Sequence, residues 1–208
     1  MGGTLIWATR FEEVKQTKRQ GGKGGGQKVS EYSYFGNAAF ALCEGPIAGV
    51  RRVWADGQEI DLTKVEMRVY RGTENQLADP LIEVKQGSSN TPAYRGVAYV
   101  VLERFPLEAY GNRLPQFNFE VLSTVGDIEQ DIRAVTLIPG STEYGLATVP
   151  VKLERRPGET EIVNRHVLHA ATDLEASLNE LQALCPNVKH VAIVVSWYGN
   201  DLRAGNCL

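Results

Sequence analysis

The sequence is poor in the residues that usually announce chemistry. Of its 208 residues only three are cysteine, Cys43, Cys185 and Cys207, widely separated and odd in number. A disulfide framework or a zinc site needs more thiols or closer ones, so buried thiols in a protein made in the cytosol are the expected state. Histidine is as scarce. His166 and His169 stand three apart, a spacing that puts both on one side of a helical turn, and His190 lies in a strand-like run. No cysteine or carboxylate completes a metal set around them, and all three read as structural. No apolar run approaches the roughly 20 residues a membrane helix needs. The opening, MGGTLIWATRF, lacks the basic-then-apolar layout of a secretory signal. Positive charge is not in excess either: a net charge of -3 weighs against a nucleic-acid binder. Ser196 is outside any GxSxG, and no Cys–His pairing stands out. Nothing here calls for a cofactor.

What is present is a good core composition, 43% hydrophobic and 23% charged, enough for one or two domains. The chain is organised around Ala93 to Val121, AYRGVAYVVLERFPLEAYGNRLPQFNFEV. Val97, Tyr99 and Val101 point one way and Ala98, Val100 and Leu102 the other, so this predicts a strand covered on both faces. After breaks at Phe105-Pro106 and Tyr110-Gly111-Asn112 the pattern turns to strict alternation, with Phe117, Phe119 and Val121 inward. That predicts a half-buried strand.

Upstream, Thr4 to Arg10 and Phe11 to Lys18 are strand-like, and a strand so early in the chain needs a neighbour to pair with it. More sequence upstream, or a partner, is expected to supply that edge. Gln20 to Lys28, QGGKGGGQK, holds five glycines between Gly21 and Gly26. It lacks GxxxxGK[ST] and no helical pattern succeeds it, which excludes a phosphate cradle. It predicts a flexible hairpin tip between two long strands. Lys18, Arg19, Lys23 and Lys28 make the tip basic. They are candidate subunit contacts for an acidic patch on a neighbour, with a solvated loop as the alternative.

Val29 to Cys43 then reads as a long strand at the centre of a sheet, with Tyr32, Tyr34, Gly36, Ala38, Phe40 and Leu42 on one face. Asp56-Gly57 between two β-rich runs signals a type I′ hairpin. Val65 to Tyr70 is a further strand, and Ala78 to Gln86 has room for a turn or two of helix. Beyond Ser123 the texture changes. Asp127 as N-cap and the stripe Ile128, Ile132, Val135 predict a short amphipathic helix over 128–135. Pro139-Gly140 is a stop signal, Thr148 to Leu153 is strand-like, and Arg155 to Thr160 reads as a linker turn. Thr172 and Glu175 form a capping box for a helix ending before Pro186. Val188 to Trp197 predicts a buried parallel strand. Among the aromatics, Trp7, Tyr32, Tyr34, Trp54 and Tyr70 are core or partner-facing residues.

Three blocks carry a resemblance: FALCEGPIAGVRRVWADGQEI, AYRGVAYVVLERFPLEAYGNRLPQFNFEV and TDLEASLNELQALCPNVKHVAIVVSWYGNDLRAGNC. In this order and wording they resemble the baseplate hub, or "megatron", proteins of gene transfer agents and related long-tailed phages. In that family hub domains are coupled to a TIM-barrel-like glycoside hydrolase domain. The resemblance implies an α+β, mainly β fold: tail-hub-like twisted antiparallel sheets or a partial barrel, a short helical connector, then the opening helix–strand unit of an incomplete β/α domain. It divides the chain into a hub domain over 1–125, a connector over 126–164 and the start of a barrel-like domain over 165–208. A TIM barrel takes roughly 200 residues or more, so this chain does not complete one. The family implies trimeric assembly, other tail hub and distal tail proteins as neighbours, a place at the particle's tail tip after synthesis in the bacterial cytoplasm, and cell-surface glycan contact through regions outside this chain.

The contrasting reading is a fragment of a carbohydrate-active enzyme. Asp201 comes after the last strand, where a barrel carries its catalytic groups. A glycosidase would need a second carboxylate facing it across roughly 5 to 9 Å, and none is evident. The expectation is a non-enzymatic structural chain without a catalytic residue.

Overall fold

A computed structural model of the chain describes residues 1–20, 27–138, 144–195, 199–201, 203 and 205–207. The fold is α+β and mainly β, in two compact units, Met1–Ser123 and Thr124–Leu208.

In the first unit the elements run β1 (Thr4–Ala8), β2 (Glu12–Gln20), β3 (Gln27–Glu44), β4 (Gly49–Ala55), β5 (Gln58–Glu59), β6 (Glu66–Arg71), α1 (Pro80–Gln86), β7 (Val97–Pro106) and β8 (Phe117–Leu122). One antiparallel sheet has the order β1-β3-β7-β6, with β2 paired to the free part of β3; a second has the order β5-β4-β8. The hairpin turn expected at Asp56-Gly57 is present, with φ of 49° and 83° at its two central residues.

Alternation along β3 and β7 builds two cores from one sheet. One face carries Ala38, Phe40, Val100, Leu102 and Phe105 against Val53, Ala55, Phe117 and Phe119 of the second sheet. Its aromatic rings interlock, with Phe40 and Phe105 at 5.0 and 5.1 Å from Phe117 between centroids. The other face carries Ala39, Tyr99 and Val101 against Trp7 and Ile82 of α1. Residues 98 to 102 are all fully buried, as a strand apolar on both sides should be. Each of its large aliphatic side chains contributes about 1.5–3 kcal/mol by burial. The break expected at Phe105-Pro106 falls at the end of β7, and the two strands of the organising stretch lie in different sheets.

The early strand finds its neighbours inside the chain. β1 pairs with β3, while Met1 to Gly3 run antiparallel to β8: the Phe119 amide donates to the Met1 carbonyl at 2.8 Å. On the other side Ile47 N donates to Arg71 O at 2.9 Å. The sheets are thus stitched at two margins, and among the described residues they do not close into a barrel.

Helix α1 is held by a buried ionic knot. Asp79, fully buried, is its N-cap and accepts from the amides of Leu81 and Ile82 at 2.9 and 3.2 Å. Arg68 Nε and the Tyr70 hydroxyl each donate to its Oδ2 at 2.7 Å, and Arg68 Nη1 reaches Glu103 at 2.6 Å. Burial pushes the Asp79 carboxyl upward, but Arg68, Tyr70 and the Ile82 amide outweigh it and hold it below the usual carboxylate range. Burial, reinforced by the bond to Asp79, drives the Tyr70 hydroxyl up.

The second unit contains α2 (Ile128–Asp131), β9 (Ala134–Leu137), β10 (Lys152–Arg156), β11 (Glu159–Ile162), α3 (Asp173–Leu184) and β12 (His190–Ile193). The helix expected over 128–135 is cut to one turn. Asp127 makes no cap bond, Ile132 is extended, and Ala134 onward pairs in parallel with β12. A sparse apolar stripe lost to a long-range ladder. Arg155 to Thr160 is the polar turn expected, but it closes the β10–β11 hairpin instead of serving as a linker. α3 is capped as expected, Thr172 Oγ1 accepting from Glu175 N at 3.1 Å. The buried Asn164 carboxamide accepts from Val151 N at 2.8 Å and donates to Val149 O at 3.0 Å, holding the entry to β10. β12 is parallel as expected but not buried. Val191 and Ile193 are 40% and 51% exposed, because β9 is its one strand neighbour among the described residues. Pro139-Gly140, Ser196 and Trp197 lie outside the described residues. Of the thiols only Cys185 is buried; Cys43 is half-buried and Cys207 exposed.

Replacing Asp79 by Ala removes the α1 cap and one carboxylate partner of Arg68, leaving Glu103 as the other, and is expected to destabilise the first unit by about 2 kcal/mol or more. Urea unfolding monitored by tryptophan fluorescence measures this. Because the folded-state carboxyl titrates below its unfolded value, its contribution is present above the ordinary carboxylate range and is lost as pH falls through the depressed value. Wild type is therefore expected to lose stability in acid, and Asp79→Asn to show a flatter profile from a lower starting point.

Candidate functional site

Among the described residues, the titratable groups singled out from sequence sit in local pairs or on the surface. Asp201, the one carboxylate singled out from sequence, is engaged by its neighbour: Arg203 Nη2 lies 2.7 Å from Oδ2 and Nε 3.1 Å from Oδ1. The Arg203 guanidinium holds it below the usual carboxylate range. His166 sits 2.6 Å from Asp173 at the start of α3, and His169 3.1 Å from Glu180, each against a carboxylate of this chain. His190 is exposed on β12. Among the described residues no three His, Cys, Asp or Glu side chains converge on a metal-sized site. The strongly perturbed Arg68–Asp79–Tyr70 group secures α1 to the sheet. None of the described helices is long and apolar enough to cross a membrane.

The feature that stands apart is an arm. β2 and β3 pair without a break from Glu12↔Phe35 to Gln20↔Gln27. β7 accompanies β3 only as far as Phe35↔Pro106, and β1 only over Ala38 to Ala41. Leu107 N still donates to Tyr34 O at 2.9 Å; from Ser33 outward the ribbon continues as the β2–β3 pair alone among the described strand pairings, over a length of about 20 Å. A two-stranded ribbon of this kind is marginal in water, and both outer edges offer unpaired backbone groups at alternate residues. Lys18, Arg19 and Lys28 occupy ladder positions near its end. Lys23 lies outside the described residues.

Short contacts stiffen the proximal half. The Tyr34 hydroxyl donates to Glu13 at 2.9 Å, which raises its pKa. Lys15 Nζ stands 5.6 Å from the Tyr32 ring centroid, a cation–π pair across the ladder. Tyr32 itself is 45% exposed.

At the root, Asn37 does what no nearby residue can. Between Gly36↔Phe105 and Ala38↔Leu102 the register slips, leaving a bulge in β7 where Arg104 has φ of 49°. Asn37 Oδ1 accepts the Arg104 amide at 2.8 Å, and Nδ2 donates to Glu12 Oε1 and Thr9 Oγ1 at 2.9 and 3.2 Å. One buried carboxamide thereby ties β3, the β7 bulge and the β1–β2 corner together. Asn37 is not among the residues singled out from sequence; a lone amide inside an otherwise apolar strand half (NAAFALC) was the available signal.

Beside the root lies an open groove of about 540 Å³, lined among others by Pro106, the ladder partner of Phe35. Ile60, Phe105 and Tyr110 provide apolar surface, and Glu59, Asp61 and Glu108 bring carboxylates.

Compared with known proteins, the chain matches no protein-family model and no curated protein. A chain in a solved structure described as the virion of a native gene transfer agent particle is 45% identical over 67% of this chain, with a TM-score of 0.50. The match spans 30% of that longer chain. Similarity of this extent supports a structural protein of a phage-like particle.

Asn37→Ala leaves the part-buried Arg104 amide without its acceptor and unties Glu12 and Thr9, at a cost of about 1 kcal/mol. Denaturant titration is expected to show that loss, together with increased proteolysis within β2. Unchanged stability and cleavage would remove Asn37 from its place as the arm's anchor.

Proposed function

We propose that this chain is a structural component of the tail tip or baseplate hub of a phage-like particle. It assembles around the tail axis and links the tail tube to distal receptor-binding or wall-penetrating parts. The observation that carries the reading is the 45% identity to a chain of a gene transfer agent virion. The arm supports it independently, since a ribbon with two open edges is stabilised when neighbouring protomers cover it.

In this reading residues 1–125 form the hub domain, 126–164 a connector, and 165–208 the opening of a barrel-like domain. The parallel pairing of β9 with β12 couples the last two segments, and the exposed Val191 and Ile193 of β12 are the surface that further strands or a neighbour would cover. Copies of the chain assemble as a trimer, with other tail hub and distal tail proteins as neighbours. Contact with a cell-surface glycan belongs to parts of the particle outside this chain. Lys18, Arg19, Lys23 and Lys28 serve as subunit contacts at the arm's end. No residue is assigned a catalytic role.

Gold labelling of an epitope-tagged chain in purified particles, viewed by electron microscopy, tests the position. Label at the distal end of the tail is the expected outcome, and label on the head or free from particles would refute it. Reversing the four basic residues to Glu is expected to reduce incorporation into particles several-fold without lowering the melting temperature of the purified chain.

A further inference from the structure

The arm and the groove have opposite chemistry. Between Val14 and Ser33 the sequence carries Lys15, Lys18, Arg19, Lys23 and Lys28 against the single acid Glu31, whereas the chain as a whole has a net charge of -3. The body is therefore acidic and the arm basic, a segregation that draws the arm of one copy toward the body of another. We infer that the groove at Ile60, Phe105 and Tyr110 is the seat for Tyr32 and Lys15 of a second copy of this chain. The inference rests on the assembly reading above and names its contact.

Tyr32 and Lys15 project as a unit, because the ammonium already sits 5.6 Å from the ring centroid. Tyrosine is among the residues in which interface hot spots are enriched, and the ammonium beside it adds a charge that a carboxylate can meet. The groove offers the complement. Its apolar lining accepts the ring, and its rim sets three carboxylates, Glu59, Asp61 and Glu108, against the one cation Lys64. Asp61 is 3.2 Å from Lys64, and Glu59 4.0 Å from Arg52. Glu108 has no ion pair among the described residues, and it is the carboxylate that meets the incoming Lys15. Tyr32 of the same copy is not among the residues lining the groove. Its own ladder holds it opposite Lys15, so the seat is open to another molecule.

The test uses the full chain and two variants: an arm variant, Lys15→Glu with Tyr32→Ala, and a groove variant, Glu108→Lys. Circular dichroism and thermal melting establish that both are folded as wild type. Sedimentation is expected to show self-association of wild type, weakened on the order of tenfold or more in each variant alone. Mixing the two variants is expected to give a one-to-one complex through the one intact arm and the one intact groove. Mixed variants that stay apart would overturn the contact, as would variants that associate as well as wild type. In those cases particle labelling at the tail tip still stands or falls by itself, so the two failures are distinguishable. A wild-type chain that stays monomeric also overturns the contact.

Discussion

Everything in the first unit hangs on one strand. β3 is 18 residues long, and it spends its length in two ways. Its second half lies between β1 and β7 and feeds side chains to both cores, Ala38 and Phe40 to one and Ala39 to the other. Its first half leaves that sheet and keeps β2 as its partner. The change happens within a few residues, at Gly36 and Asn37. A Cβ on Gly36 would come within 3.3 Å of Leu114, and the Asn37 carboxamide satisfies the amide that the β7 bulge releases. Rigid core and projecting ribbon are thus one covalent element, so a load on the arm is passed directly into the buried sheet.

The electrostatics divide in the same manner. At the base of α1 the charge is paired: Arg68, Asp79, Tyr70 and Glu103 close on one another and fix α1 to the sheet. Such a group is costly to break. Where charge is exposed it is segregated, basic along the arm and acidic over the remainder. Buried pairing specifies the fold; exposed segregation addresses a partner.

Much of this was legible in the residues, and the pattern of success has a physical basis. β7 was readable because Val97 to Leu102 is apolar at every position, a signature that survives in any burial on both faces. The Asp56-Gly57 turn and the Thr172 cap were readable because their chemistry is local. What failed was non-local. Ile128, Ile132 and Val135 mark a helix weakly, and the ladder with β12, more than fifty residues on, took Val135 for a strand. The sheet membership of β7 and β8 was equally hidden, since a loop tells nothing of which edge a strand seeks. The exposure of β12 was misjudged because an apolar run states what needs cover without stating whether cover is present. The pairing of β2 with β3 was foreseen, while the glycines expected at its tip lie outside the described residues; Asn37 and the groove were not foreseen, since each is a meeting of residues far apart in sequence, Asn37 with Arg104 and Ile60 with Phe105.

The central claim is that the β2–β3 ribbon is finished by a neighbouring protomer. Amide hydrogen exchange, compared between the dilute chain and the assembled particle, tests it most directly. The account predicts fast exchange over Val14 to Thr17 and Ser30 to Ser33 in the dilute chain, with β7 protected. On assembly those arm amides should become protected toward the level of β7. Arm amides that are as protected as β7 in the dilute chain, or that exchange equally fast in the particle, would contradict it.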